Sequence, residues 1–152
     1  VEYIPRAFSQ EIPIFFVSSS LSNLIFGLGD IMKIILVRHG EAENPSPSIS
    51  DQSRTLTPKG DDDIHKIGRF IKSSSLKVNH LFFSPYTRTK QTAEILSKEL
   101  EYQGEMISAE ELACGNGCSD IISCLVQFGN SDTVLLVGHN PDITYFAAQL
   151  LG

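Results

Sequence analysis

Three short apolar runs, each followed by a polar turn and then a helical pattern, constrain the fold of this chain more than any other feature. The runs occupy residues 34–37, 81–83 and 134–137, and polar residues follow each of them within one or two positions. Runs that are apolar at every position are typical of strands buried on both faces of a parallel sheet. Their alternation with helices predicts a three-layer α/β/α fold with a mostly parallel sheet.

Three dipeptides with proline in second place mark predicted helix starts. In each, a polar residue is expected to be the N-cap and the proline the first helical residue. The three dipeptides are Thr57-Pro58, Ser84-Pro85 and Asn140-Pro141. Residues 118–128 predict a further helix, and residues 106–108 predict a short strand.

The residues that follow the three strands carry the candidate functional chemistry. Arg38, His39 and Gly40 follow the first strand. Arg88 lies about one turn into the helix after the second strand, and His139 follows the third. Open α/β sheets bind ligands beyond the carboxyl ends of their strands, so neighbouring strands would bring two arginines and two histidines together. Such a cluster suits a tetrahedral dianion, such as phosphate or a phosphoryl group.

Charge and cysteine content exclude several other functions. The net charge is -6 and no basic run is present, which argues against a nucleic-acid partner. The three cysteines, Cys114, Cys118 and Cys124, have neither the even count of a disulfide framework nor the spacing of a zinc site. They are expected to be reduced thiols in a cytoplasmic protein. No metal site is predicted at His39, because Arg38 is a poor neighbour for a divalent cation.

Residues 1–31 differ from the rest of the chain. Their apolar, Ser-rich stretch lacks the run of about 20 apolar residues that a membrane-spanning helix needs. The compact strand pattern begins directly after Met32. We therefore expect residues 1–31 to be an amino-terminal extension outside the core and residues 32–152 to form one domain.

Three segments resemble the signatures of a known family. "LVRHGEA", "SPYTRTKQTAEIL" and "LVGHNP" look like those of the histidine phosphatase, or phosphoglycerate-mutase-like, superfamily. "RTLTPKG" and the short chain resemble its SixA-type phosphohistidine phosphatase branch. The resemblance covers residues 32–152 in the expected order and implies a phosphoglycerate-mutase-like fold.

The resemblance also implies roles for the matching residues. His39 would be the nucleophile that forms a phosphohistidine intermediate, and Arg38 and Arg88 would hold the phosphoryl oxygens. His139 would be a second pocket histidine that donates to the same group. Beside these four, the predicted substrate-binding set includes Gly40 and Asn140. No cofactor or metal is implied, because the arginines supply the positive charge.

One departure from the family pattern bears on the substrate. Ester-cleaving members place a carboxylic acid after the leucine equivalent to Leu112, where this chain has Ala113. General acid catalysis typically contributes about 10²–10⁴-fold, so its loss favours a phosphohistidine protein as substrate. The alternative is a phosphatase for small phosphate esters or sugar phosphates that uses Glu110 or Glu111 as the acid.

A second departure is the end of the sequence at Gly152, where SixA-type members continue with at least one more strand. A missing strand would leave an open sheet edge. Residues 12–16, "IPIFF", offer one way to fill it, although the prediction places them outside the core. A non-catalytic phosphate-binding module or an incomplete fragment is therefore a further alternative.

Overall fold

A computed structural model describes residues 14–18, 32–129 and 132–151. Its five strands are Ile14–Ser18 (β1), Lys33–Arg38 (β2), His80–Phe83 (β3), Met106–Ser108 (β4) and Thr133–Gly138 (β5). Within the same ranges, the four α-helices are Pro58–Ser73 (α1), Thr87–Glu99 (α2), Cys118–Leu125 (α3) and Asp142–Leu151 (α4). Two short 3-10 helices span Asp51–Ser53 and Glu110–Leu112. Within these described ranges, no helix is long and apolar enough to cross a bilayer.

The strands form one sheet in the order β1-β2-β5-β3-β4. Strands β2, β5, β3 and β4 are parallel, and β1 is antiparallel to β2. The predicted α/β fold with a mostly parallel sheet is therefore confirmed. Because β5 lies between β2 and β3, the carboxyl ends of all three strands are adjacent, with Arg38 opposite Gly138 and Phe83 opposite Val137.

Apolar side chains of the strands pack on both faces of the sheet. On one face, Ile35 and Val37 of β2 belong to a buried cluster with residues of α1 and α2. On the other face, Ile34 and Leu36 belong to a cluster with residues of α3 and α4. Full burial stabilises each such side chain by about 1.5–3 kcal/mol. This two-sided burial explains why β2 is apolar at four consecutive positions.

Strand β1 lies at the edge of the sheet beside β2. Its main chain pairs with β2 from Ile14 opposite Val37 to Ser18 opposite Lys33. These five residues are hydrogen-bonded to β2 and form one edge of the sheet. From the sequence, we considered residues 12–16 for such a position at a sheet edge. The remainder of residues 1–31 lies outside the described part of the chain, and the domain boundary at Met32 stays a prediction.

Helix α1 begins as the sequence predicts. Thr57 is its N-cap and accepts a hydrogen bond from the main-chain N–H of Gly60 at 3.0 Å, and Pro58 is the first helical residue. Its apolar face is buried through Ile64, Ile67 and Ile71.

The predicted starts of the other two capped helices are wrong by one to two residues. Helix α2 begins at Thr87, so Ser84 is not its N-cap and Pro85 is not helical. Helix α4 begins at Asp142, so Pro141 precedes it. Helix α2 starts late because the Ser84 hydroxyl is hydrogen-bonded to a histidine of the candidate site. Residues 84–86 form the turn between β3 and the helix. One consequence is that Arg88 is the second residue of α2 rather than one turn inside it.

Candidate active site

The adjacent carboxyl ends of β2, β5 and β3 bring His39, His139 and Arg88 together. The Nε of Arg88 lies 3.1 Å from Nε2 of His39, and its Nη2 lies 3.4 Å from Nδ1 of His139. The two imidazole ring centroids are 5.2 Å apart. Arg38 ends β2 directly before His39, and its charge acts on both histidines. The convergence expected from the strand exits is thus found in the structure.

Two hydrogen bonds define the orientation of the His39 ring. Its Nδ1 lies 2.7 Å from the carbonyl oxygen of Gly40, which can only accept, so Nδ1 carries the proton. Its Nε2 accepts the N–H of Arg88 Nε and therefore holds the lone pair. In this tautomer the unprotonated nitrogen of a neutral imidazole is directed at the guanidinium of Arg88.

The ring of His139 is almost completely buried and is fixed from both sides. Its Nε2 lies 2.8 Å from the hydroxyl of Ser84, and its Nδ1 faces Nη2 of Arg88. The ring of Tyr86 packs against the imidazole with centroids 4.7 Å apart, and Arg88 Cζ lies 4.8 Å from the same tyrosine ring centroid. Sequence reasoning missed Ser84 and Tyr86 as site residues. The signal that could have indicated them is their position in the sequence, between the end of β3 and Arg88.

Both pocket histidines are neutral at pH 7. Burial, followed by the positive charges of Arg88 and Arg38, lowers the pKa of His39 to about 4, although its bond to the Gly40 carbonyl opposes the shift. Burial, followed by the neighbouring His39 and Arg88, lowers the pKa of His139 to about 3. Burial, assisted by the charges of Arg88 and Arg38, therefore keeps Nε2 of His39 unprotonated.

These lowered pKa values predict how stability depends on pH. The unfolded chain binds protons at histidine with a pKa near 6.5, so below that pH it binds more protons than the folded chain. We expect the free energy of unfolding, measured with urea at pH 7, 6 and 5, to fall as the pH falls. The steepest slope is about 1.4 kcal/mol per pH unit for each histidine. A free energy of unfolding that does not change with pH would contradict the assignment.

Close packing of glycines fixes the main chain beside His39. A Cβ on Gly40 would lie 2.8 Å from the carbonyl oxygen of Gly60 and 2.9 Å from a side-chain carbon of Ile64, so only glycine fits against α1. The N–H of Gly40 donates to the hydroxyl of Thr92 at 3.1 Å, and this hydroxyl donates to the carbonyl of Arg88 at 2.7 Å. Thr92 therefore links the main chain after β2 to helix α2, which carries Arg88, by hydrogen bonds. A role of Gly40 in substrate binding stays a prediction.

Asp51, the first residue of the 3-10 helix Asp51–Ser53, contacts Arg88 inside the site. Nη1 of Arg88 donates to the main-chain carbonyl of Asp51 at 2.6 Å, and Nη2 donates to its carboxylate at 3.0 Å. Arg54 binds the other carboxylate oxygen through Nε at 2.9 Å. These hydrogen bonds lower the pKa of the Asp51 carboxyl, and the one from Arg54 has the largest effect. Sequence reasoning missed both residues, because a polar loop of this kind gives no sign of which side chain turns inward.

The remaining candidates, Asn140, Glu110 and Glu111, are exposed, and their roles stay predictions. Asn140 is exposed, and its side-chain oxygen accepts a hydrogen bond from Thr144 at 3.0 Å. Glu110 and Glu111 are exposed in the second 3-10 helix, and the charge of Glu111 acts on Cys124 of α3, whose thiol has its pKa raised to about 11, mainly by burial. Among the residues that the structure describes, neither glutamate side chain hydrogen-bonds to the histidines or to Arg88. The same residues contain no group of three or more His, Cys, Asp or Glu side chains placed to hold a metal ion.

Comparison with known proteins decides the family. Residues 34–113, just over half of the chain, match the model of the histidine phosphatase superfamily, branch 1. The chain belongs to the histidine phosphatase superfamily. The matched segment contains Arg38, His39 and Arg88, and His139 lies beyond it.

Individual relatives agree with the SixA-type resemblance. Phosphohistidine phosphatase SixA of Escherichia coli (strain K12) is 28% identical to this histidine phosphatase over 124 residues, 78% of this chain and 74% of SixA. A solved structure of the protein histidine phosphatase SixA complexed with tungstate has a TM-score of 0.71 at 25% identity, over 77% of this chain and 75% of that one. The mitochondrial serine/threonine-protein phosphatase PGAM5 of Xenopus tropicalis is 37% identical over 67 residues, 44% of this chain and 23% of PGAM5. The family and these relatives support a phosphatase, a hydrolase that acts on phosphoryl groups.

Proposed function

We propose that this histidine phosphatase removes the phosphoryl group from a phosphohistidine of a cytoplasmic protein, through a covalent phosphohistidine at His39 and without a metal ion. The observation that carries the proposal is the state of His39. Its ring is neutral, its proton is held by the Gly40 carbonyl, and its free nitrogen Nε2 is directed at Arg88. A neutral imidazole nitrogen beside a guanidinium is suited to attack an anionic phosphorus centre.

In the first step, the lone pair of His39 Nε2 forms a bond to phosphorus as the phosphorus–nitrogen bond of the substrate breaks. The electron pair of that bond leaves with the substrate imidazole, which becomes neutral if its other nitrogen carries a proton. Arg88 and Arg38 stabilise the negative charge on the phosphoryl oxygens, which is the main requirement of a loose phosphoryl-transfer transition state. Arg88 is at contact distance from both histidines, and its Nε–H releases the lone pair of His39 Nε2 as the bond to phosphorus forms.

In the second step, water attacks the phosphorus atom of phospho-His39. The bond to Nε2 breaks, the electron pair returns to the ring, and phosphate leaves as H₂PO₄⁻ with the oxygen and both protons of water. The overall change is phosphohistidine plus water to histidine plus phosphate. The hydrogen bond between Nδ1 and the Gly40 carbonyl holds the ring in place through both steps and stabilises the positive charge of the phosphorylated ring.

The proposed substrate class follows from the leaving group. An alkoxide needs a proton as it leaves, whereas an imidazole that is already protonated on its other nitrogen does not. Glu110 and Glu111, the acids considered from the sequence, are exposed and make no hydrogen bond to the pocket histidines within the described residues. The name of the SixA relative, phosphohistidine phosphatase, supports the same class.

A substrate panel tests this proposal against an ester phosphatase. We expect kcat/KM for a phosphohistidine peptide to exceed that for a phosphoserine peptide and for sugar phosphates by at least about 100-fold, because the esters lack general acid help. The variants Glu110→Gln and Glu111→Gln should leave both rates unchanged. Comparable rates on both classes, with a loss of ester hydrolysis in one glutamine variant, would favour the small-ester phosphatase.

A further inference from the structure

The hydrogen-bonding capacity of Arg88 is nearly exhausted by protein groups. A guanidinium has five N–H donors, one on Nε and two on each terminal nitrogen. Nε donates to His39, Nη2 donates to the Asp51 carboxylate and to His139, and Nη1 donates to the Asp51 main-chain carbonyl. Within the part of the chain that the structure describes, the second N–H of Nη1 has no acceptor, and Tyr86 lies against the face of the guanidinium. A phosphoryl group therefore cannot make two hydrogen bonds to the terminal nitrogens of Arg88 while all these contacts persist.

The partner that is easiest to displace is the Asp51 side chain. Its side chain is 56% exposed, whereas that of Arg88 is 4% exposed. Asp51 belongs to the exposed 3-10 helix Asp51–Ser53, whereas His39 and His139 are fixed at the ends of central strands. The carboxylate bridges two guanidiniums, with one oxygen on Arg88 and the other on Arg54.

The Asp51 carboxylate keeps its hydrogen bonds to Arg54 when it leaves Arg88. Two nitrogens of Arg54 bind Oδ1 of Asp51, at 2.9 and 2.5 Å, and its third binds the carbonyl of Glu43 at 2.6 Å. Asp51 can therefore give up Arg88 and remain paired with Arg54, so its charge is not left alone when the phosphoryl group enters.

We propose that Asp51 is an internal competitor for the phosphoryl-binding guanidinium of Arg88 and thereby sets the affinity of the site for phosphoryl substrates and for phosphate. The Asp51 carboxylate occupies the place of one phosphoryl oxygen on Nη2, and its negative charge repels a dianion. Substrate enters by exchanging one anion for another on the same nitrogen, and the return of Asp51 favours release of phosphate. This inference rests on the proposed function, because it assigns Arg88 to the phosphoryl group.

Phosphate binding measured by calorimetry at constant pH and ionic strength tests this role. We expect Asp51→Asn to bind inorganic phosphate about fivefold more tightly than wild type or better, because the neutral amide competes weakly for Arg88 and does not repel the dianion. Asp51→Ala should shift the dissociation constant in the same direction, and KM for a phosphohistidine peptide should fall with it. The matched control is Asp62→Asn, which removes an equal charge from an exposed residue of α1 that pairs with Lys66.

The outcomes separate this inference from the proposed function. Unchanged or weaker phosphate binding by Asp51→Asn, with normal binding by wild type, would overturn the role of Asp51 and leave the phosphatase assignment intact. Equal tightening in Asp62→Asn would overturn it too, because the effect would then belong to net charge. If neither wild type nor any variant binds phosphate, both the competitor role and the proposed phosphoryl site are wrong.

Discussion

We expect the variant His39→Asn to lose phosphohistidine phosphatase activity by at least about 10³-fold in kcat, because the proposed covalent intermediate forms at Nε2 of His39. Asparagine keeps an amide N–H that can reach the Gly40 carbonyl but has no nucleophilic nitrogen in place of Nε2. The loss should appear in kcat rather than in KM, since Arg88 and Arg38 still bind the phosphoryl group. The measurement is release of phosphate from a phosphohistidine peptide under steady-state conditions.

The control for this prediction is His65→Asn. His65 lies on α1, where Nδ1 is bonded to Glu99 at 2.6 Å, away from the strand exits that carry the pocket. It removes the same kind of side chain and should retain full activity. Residual turnover above about one per cent in His39→Asn would rule out His39 as the nucleophile, because loss of a nucleophile costs far more than tenfold to a hundredfold.

The second large effect is expected for Arg88→Ala, which should lower kcat/KM by about 10²–10³-fold. Arg88 contacts both histidines and is almost completely buried, so it is positioned to stabilise charge in the transition state rather than to attract substrate from solution. Arg88→Lys should recover only a small part of the loss, because an ammonium group cannot replace the planar fork that spans the two rings. The two variants are compared by kcat and KM separately.

Arg69→Ala is the matched control, because Arg69 is an exposed residue of α1 that pairs only weakly with Glu99 at 3.6 Å. It should leave kcat/KM within about twofold of wild type. If Arg88→Lys were as active as wild type, the guanidinium would serve only as a positive charge. If Arg88→Ala were fully active, the assignment of the phosphoryl site would be wrong.

The sequence predicts the sheet well because its signals are strong and local. The run at residues 34–37 is apolar because both faces of β2 are covered, and this is visible without any structure. The N-cap at Thr57 is likewise a local signal. The start of α2 was not predictable, since Ser84-Pro85 has the same pattern as Thr57-Pro58 but its serine is bound to His139. That contact joins residues 55 positions apart, and no local pattern reports it.

The candidate site divides in the same way. Residues at strand exits, such as His39 and His139, can be found because the topology of a parallel sheet brings strand ends together. The inward turn of Asp51 could not be found, because it depends on Arg88 and on the path of an irregular loop. The lowered pKa values of the two histidines also needed the structure, since they depend on burial first and on neighbouring charges second.

Trapping the covalent intermediate is the most direct test of the proposal that His39 is the nucleophile. The protein is mixed for milliseconds with a phosphohistidine peptide labelled in its phosphoryl group, quenched in alkali and digested. We expect an acid-labile, alkali-stable label on the peptide that contains His39, absent from His39→Asn and present in His65→Asn. A label on another residue, or full turnover with no labelled protein at any mixing time, would contradict it.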